Sequence, residues 1–268
     1  MRRDIVRMTS AVNSGHPGGS LGCTEFFVAL YYEIMNVNPS AFDMDGKNED
    51  VFFLSNGHVS PVWYSVLAHR GFFPVSELGT FRRINSRLQG HPTTAEKLPG
   101  IRMSSGSLGQ GLSVAVGAAL AKKLNGDKNF VYTLQSDGEM EEGQIWEAAM
   151  FAAAHKVDNI ICSLDLNGIQ IDGKTDEVLP LGDLKVKWQA FGWIVLESNG
   201  NDIENVIATL KEAQQHTGKG KPVMILMKTI LGKGVDFMED KHKWHGTAPN
   251  AEELQKSLAQ LEETLGDY

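Results

Sequence analysis

Apolar and polar positions along this chain fall into blocks, and the period of the pattern changes from block to block. "VFFL" (51–54), "NFVYTL" (129–134), "NIICSL" (159–164), "GWIVL" (192–196) and "PVMILM" (222–227) are short apolar runs bounded by Gly, Asn, Asp or Pro. Such runs read as strands buried on both faces. Between them the spacing turns helical. Ile5, Val6, Met8 and Val12 give residues 2–13 a partial apolar face with no N-cap before it. Further helices are expected from Cys23 to about Met35, over 60–69, over the small-residue run 109–125, and at 141–155, 183–191 and 202–215. An amphipathic segment, 250–264, reads as a docking helix, and residues 72–105 as mostly loop. Strands alternating with helices predict an α/β fold with a parallel sheet covered by helices on both faces. One domain spanning residues 1–268 accounts for the whole pattern. Ligands of such sheets bind at the carboxyl ends of the strands.

Composition narrows the classes of function. The 268 residues carry a net charge of −8 and a pI near 5.5, which argues against a nucleic-acid or anionic-membrane surface. Small anionic substrates remain compatible with it. No apolar run approaches the ~18 residues of a membrane span, and the N-terminus lacks a signal-peptide core. The expectation is a cytoplasmic protein, with Cys23 and Cys162 as reduced core thiols.

Two successive strand ends carry oxygen donors. Asp137 lies in "SDGE" and Asn167 in "LDLNGIQIDG", thirty residues apart (167 − 137) with one helix between. A carboxylate, an amide carbonyl and a backbone carbonyl suit a hard cation such as magnesium or calcium rather than zinc. Gly138 lets backbone approach a phosphate. The bland alternative is that Asp137 caps helix 141–155 and Asn167 makes an Asx turn. Three histidines sit in similar Gly- or Ser-rich loops, "SGHPGG", "SNGH" and "QGHP", giving His16, His58 and His91 as candidates for one site. His69, His155, His216 and His242 lack that context and read as structural or surface residues. "DKHKWHG" on its own reads as a solvated turn anchored by Trp244, and Lys233 as a residue of a mobile loop within reach of a phosphate.

Taken in order, "SGHPGGSLG" (14–22), "LSNGHVSP" (54–61), "QGHP" (89–92), "SSGSLGQGLSVAVGAA" (104–119), "DGEMEEGQIWEAAMFAAAHK" (137–156), "DLNGIQIDG" (165–173) and "KHKWHG" (241–246) resemble the transketolase family of thiamine diphosphate enzymes. The resemblance implies that Asp137, Asn167 and the main-chain carbonyl of Ile169 hold magnesium, with calcium or manganese able to substitute. It implies that Gly106 and Gly138 approach the cofactor, that Leu108 and Ile171 touch its rings, and that His58 and His245 lie against its diphosphate. His16, His91 and His245 would be catalytic, and Glu142 would stand at the cofactor near a second, partner chain. Glu147 would pack or cap. Two positions depart from the family pattern: Ser136 replaces a glycine, and Ser107 a proline. A Cβ at 136 either crowds the diphosphate or brings a hydroxyl that donates to it.

The resemblance also implies what lies elsewhere. The glutamate that activates the cofactor belongs to a pyrimidine-binding domain, and the sequence stops at Tyr268, just past the diphosphate-binding one. The expectation is the N-terminal subunit of a split transketolase, paired with a C-terminal subunit in a 2+2 assembly and acting on sugar phosphates. Rival readings are a deoxyxylulose-phosphate synthase-like or 2-oxo acid decarboxylating enzyme, or a non-catalytic assembly subunit. A nicotinamide-binding protein is excluded, because no G-x-G-x-x-G opens a helix after an early strand.

Overall fold

The computed structural model describes all 268 residues. Five strands form one parallel sheet: β1 (Val51–Leu54), β2 (Val131–Ser136), β3 (Ile160–Leu166), β6 (Ile194–Asn199) and β7 (Val223–Lys228), in the order β1-β2-β3-β7-β6. A two-stranded antiparallel hairpin, β4 (Ile169–Gln170) with β5 (Gly173–Lys174), stands apart from it. The expected α/β fold is therefore present, with strand ends within three residues of those read from the apolar runs.

Side-chain parity explains the layers. Phe52 and Leu54 of β1, with Tyr132, Leu134, Ile161 and Ile225, face a cluster of 39 buried residues. Helices α1 (Arg2–Ala11), α3 (Thr24–Ala29), α4 (Ser60–His69) and α9 (Ile203–His216) close over it. Val51, Phe53, Val131, Ile160, Cys162 and Met224 face the other way, into a cluster of 22 under α5 (Gly111–Leu124), α6 (Gly143–Ala154) and α8 (Leu184–Ala190). Successive strand residues point to opposite faces, so apolar runs without alternation are what a sheet covered on both sides requires. Cys23 and Cys162 are free and buried.

The expected helix from Cys23 to Met35 is replaced by three pieces. α2 (Pro17–Gly22) begins earlier, with Pro17 in its first turn; α3 follows, and a π-helical turn, Leu30–Ile34, ends the run. The glycines of "HPGGSLG" made this stretch look like loop, but they serve close packing. A Cβ at Gly18 would stand 2.6 Å from the Trp244 carbonyl oxygen, and one at Gly22 2.9 Å from that of Ile230. Residues between β3 and α8 hold the β4–β5 hairpin and α7 (Thr175–Val178). The C-terminal helix, α10 (Ala251–Gln260), is shorter than expected and starts on an Asn250–Glu253 capping box. No helix is long and apolar enough to cross a membrane.

Candidate functional site

Parallel pairing in register Ser136↔Asp165 brings the carboxyl ends of β2 and β3 side by side. The chain beyond each strand then folds onto the other. Asp137 N–H donates to the Asp165 carbonyl at 3.1 Å. The Asp137 carboxylate accepts from Gly138 N–H at 2.8 Å and from Gly168 N–H at 2.5 Å. Asn167 Oδ1 accepts from Ile169 N–H at 2.9 Å, while its amide donates to Asp165 Oδ2 at 2.9 Å. The bland reading is thus half realised: Asn167 does make its Asx turn, leaving one lone pair on Oδ1. Asp137, however, caps only the 3₁₀ turn Gly138–Glu141, and the residue at the start of α6 is Glu142.

Electrostatically this edge is unfinished. Asp137 is 1% exposed, and burial, then the neighbouring Asp165 charge, pushes its pKa up to about 7 against the pull of its N–H donors. Burial raises Asp165 too. Two buried carboxyl groups share a corner with no cation near them.

Four histidines form the facing wall. His16 lies 5.1 Å from His58, 6.4 Å from His91 and 5.9 Å from His245, and His58 lies 5.4 Å from His245, ring centre to ring centre. Burial, reinforced by neighbouring positive charge, lowers His16 and His245 to about 4 and also depresses His58 and His91. All four rings are neutral near pH 7. The Nδ1 atoms of His16 and His245 are buried without a partner. The main chain of Ile169 lies beside the His245 ring and favours its charged form, against the larger effect of burial. Gly106 sits at φ +135°, where a Cβ would come 2.9 Å from the His91 ring. A Cβ at Gly138 would meet Gln170 at 2.9 Å.

These walls enclose a cavity of about 360 Å³. Its lining includes the residues expected to bind cofactor or metal or to act in catalysis: His16, His58, His91, Gly106, Leu108, Asp137, Gly138, Glu142, Asn167, Ile169, Ile171 and His245. Ser136 also lines it, 6% exposed, with no hydrogen-bond partner for its hydroxyl. Its φ is negative, so the backbone there does not demand glycine. Ile171 is 55% exposed at the mouth. Three clefts are larger: those of about 940 and 560 Å³ hold none of these side chains, and one of about 620 Å³ shares only His91.

Other expectations fare differently. Glu147 is exposed and neither packs nor caps. Lys233 pairs with Glu239 at 3.3 Å, away from the cavity. His242 sits at the rim, a ring nitrogen 2.6 Å from the Ile171 carbonyl.

Sequence reasoning passed over Glu139. It is fully buried and accepts from Gly109 N–H at 2.7 Å, the Ser55 hydroxyl at 2.5 Å and Ser136 N–H at 3.3 Å, joining the ends of β1 and β2 to the loop before α5. Burial raises it to about 7. Its partners are 84 and 30 positions away, which no local pattern reveals. Asp165 was also passed over, although an acid ending a buried strand was a visible signal.

No group of three His, Cys, Asp or Glu side chains is placed to hold a metal ion by itself. The donors here fit a different case, a hard cation bound through one carboxylate, an amide oxygen and a carbonyl, with the rest of its shell from a phosphorylated ligand. Asp137, His16 and His245 line the same cavity, as such a ligand needs.

Comparison with known proteins places this geometry. Residues 2–266 match the family model described as the transketolase thiamine diphosphate-binding domain. One subunit of the 6-deoxy-6-sulfo-D-fructose transketolase of a Clostridium species is 41% identical over 98% of this chain and 94% of its own length. One subunit of the apulose-4-phosphate transketolase of Actinobacillus succinogenes is 37% identical over 98% of this chain and 93% of its own. Among solved structures, the transketolase of Pichia stipitis in complex with sedoheptulose 7-phosphate superposes with a TM-score of 0.88 at 32% identity. That match covers 96% of this chain but 39% of the Pichia chain, so the sequence spans about two-fifths of the solved enzyme.

Proposed function

The chain belongs to the transketolase family, within its thiamine diphosphate-binding domain, and from that premise we propose that it is one subunit of a transferase moving a two-carbon ketol unit from a ketose to an aldose. The observation that carries this reading is the convergence of the Asp137–Asn167 edge and the four-histidine wall on one cavity.

Thiamine diphosphate, when bound, supplies an electron sink for breaking the carbon–carbon bond beside a ketose carbonyl. The chain's own residues do the rest of the work on this side of the site. Asp137, Asn167 and the Ile169 carbonyl hold a magnesium ion, or calcium or manganese in its place, and that cation settles the two raised carboxyl groups. Gly106 and Gly138 leave room for the cofactor, and Leu108 and Ile171 offer it apolar surface. His58 and His245 take the diphosphate side. His16 and His245, largely buried, and His91, exposed at the cavity edge, are placed to accept or donate a proton at the substrate hydroxyls and carbonyl oxygen. Glu142, exposed at the rim, meets the partner chain.

The substrates in this reading are sugars with an anionic group, since the relatives' names specify a sulfonated ketose and a sugar phosphate. Those relatives are named as subunits, which supports a complementary chain supplying the pyrimidine-binding domain and its activating glutamate, in a 2+2 assembly. Calorimetric titration of thiamine diphosphate with magnesium tests the proposal, into the chain alone and into its mixture with a candidate C-terminal subunit. Tight binding and ketol transfer in the mixture only are expected. Turnover by the single chain, or no binding in either case, would overturn the two-subunit reading.

A further inference from the structure

The cofactor cavity has a diphosphate end and a ring end, and no strand pairing joins them. Asp137 and Asn167 stand at the paired ends of β2 and β3, whereas Gly106 and Leu108 belong to the loop that enters α5. Within residues 106–111 only the Gly109 and Gly111 N–H groups find acceptors in the chain. Gly109 donates to Glu139 at 2.7 Å and Gly111 to the Ser55 hydroxyl oxygen at 3.1 Å. The Ser55 hydroxyl in turn donates to Glu139, so both bonds run into one fully buried pair. The loop lies directly on that pair: a Cβ at Gly111 would stand 2.4 Å from Ser55 Oγ. Ser55 also extends the β1–β2 ladder, its N–H donating to the Leu134 carbonyl at 3.0 Å, and its carbonyl accepts from Gly57 N–H in the turn that carries His58. The other Glu139 oxygen accepts from Ser136 N–H at 3.3 Å, one residue before Asp137.

A carboxyl group with no exposure and donors from three separate segments is a fixed point. No other hydrogen bond ties the loop 106–111 to the end of β2. We propose that Glu139 is a positioning residue: it sets how far the Gly106–Leu108 loop stands from the Asp137 corner, so that a ligand with a diphosphate at one end and rings at the other engages both at once. This rests on the thiamine diphosphate reading above and deepens it with a residue that touches neither end. Glu139 does not line the cavity, so its effect reaches the ligand only through the segments it ties together.

The test uses the assembled two-subunit enzyme and two calorimetric probes, thiamine diphosphate with magnesium and inorganic pyrophosphate with magnesium. The second probe needs only the diphosphate end. Glu139→Ala should raise the Kd of thiamine diphosphate about thirtyfold and that of pyrophosphate less than about threefold, since the loop is released while the corner stays. Glu139→Gln should hold thiamine diphosphate within about threefold of the parent, because its amide oxygen still accepts from Gly109 N–H and its nitrogen can donate to Ser55 Oγ. Equal weakening of both probes by E139A would overturn the proposal, because Glu139 would then support the corner alone. An unchanged affinity for thiamine diphosphate would overturn it too. Where pyrophosphate binds too weakly to measure, the rescue decides: a loss in E139Q as large as that in E139A sinks the idea. If E139A does not fold, Ser55→Ala replaces it and should weaken thiamine diphosphate about fivefold with pyrophosphate unchanged. No change in S55A would count against the proposal in the same way. A parent assembly that does not bind thiamine diphosphate overturns the cofactor reading itself, before any variant is made, and this proposal with it.

Discussion

Lys122 and Asp137 are both buried, both titratable, and packed at opposite rims of the same sheet. At the amino-terminal rim Lys122 donates to the Gly46 and Glu49 carbonyls at 2.9 and 2.8 Å and to Asp127 at 2.7 Å. Lys123 reaches Asp158 at 2.6 Å, and Asp158 also accepts from Gly220 N–H at 2.8 Å. Asp127, held by Lys122 and the Asn129 N–H groups against the cost of burial, drops to about 2, and Asp158 is lowered as well. At the carboxyl rim the shifts reverse: Asp137 and Glu139 rise to about 7, and His16 and His245 fall to about 4. The first rim meets most of its electrostatic demands internally, although burial raises Asp50 there despite N–H donors from Asn36 and Phe130; the second leaves Asp137 beside Asp165 and the His16 and His245 Nδ1 atoms without partners.

That contrast can be broken most severely at Asp137. Asp137→Ala should weaken thiamine diphosphate–magnesium binding by at least about 100-fold, measured calorimetrically in the mixture of subunits. The ligand-free chain should unfold at no lower a temperature. A matching loss of thermal stability would make both rims structural and erase the difference. Lys122→Ala is the mirror experiment. It strands two carbonyls and a carboxylate, so urea unfolding should show a loss of about 2–3 kcal/mol while cofactor affinity stays within about twofold.

A third test turns on pH. In the folded chain His16 titrates near 4, below the ordinary value of 6.5, so the unfolded chain binds a proton first as pH falls. Its contribution to stability is therefore intact above 6.5 and is lost between 6.5 and 4. The ligand-free His16→Gln variant should lose less stability than the parent across that window, by about 1 kcal/mol after allowing for screening on its open side. Parallel curves for parent and variant would remove His16 from the unpaired rim. Ser136→Gly should have the smallest effect. Since Ser136 has an ordinary negative φ and a free hydroxyl, cofactor affinity should move less than about threefold in either direction. A larger gain on Gly would show the Cβ crowding the diphosphate.

The two rims were also unequally legible. Strands and their two-sided burial were readable because each apolar run is local; of the cavity list, the residues alone pointed to Asp137, Gly138, Asn167, His16, His58 and His91, and the rest came through the family resemblance. Lys122 was not readable, since its three acceptors come from residues 46, 49 and 127 and a lysine near a helix end ordinarily points to water. Glu139 was hidden for the same reason, its meaning lying in partners far along the chain. The stretch "HPGGSLG" misled because glycine signals flexibility to a local reader, whereas here it marks places where backbone crosses backbone.

The histidine wall has a temporal meaning as well. The Asp137 edge joins neighbouring strands and can form as soon as β2 pairs with β3. His16 and His245, 5.9 Å apart, are separated by 229 positions (245 − 16), so their contact waits for nearly the whole chain to be made and folded. Pairings this distant close late. A nascent chain therefore offers an acidic corner long before its histidine wall is complete, and any ligand that needs both adds stability by mass action only to chains whose first and last segments have met.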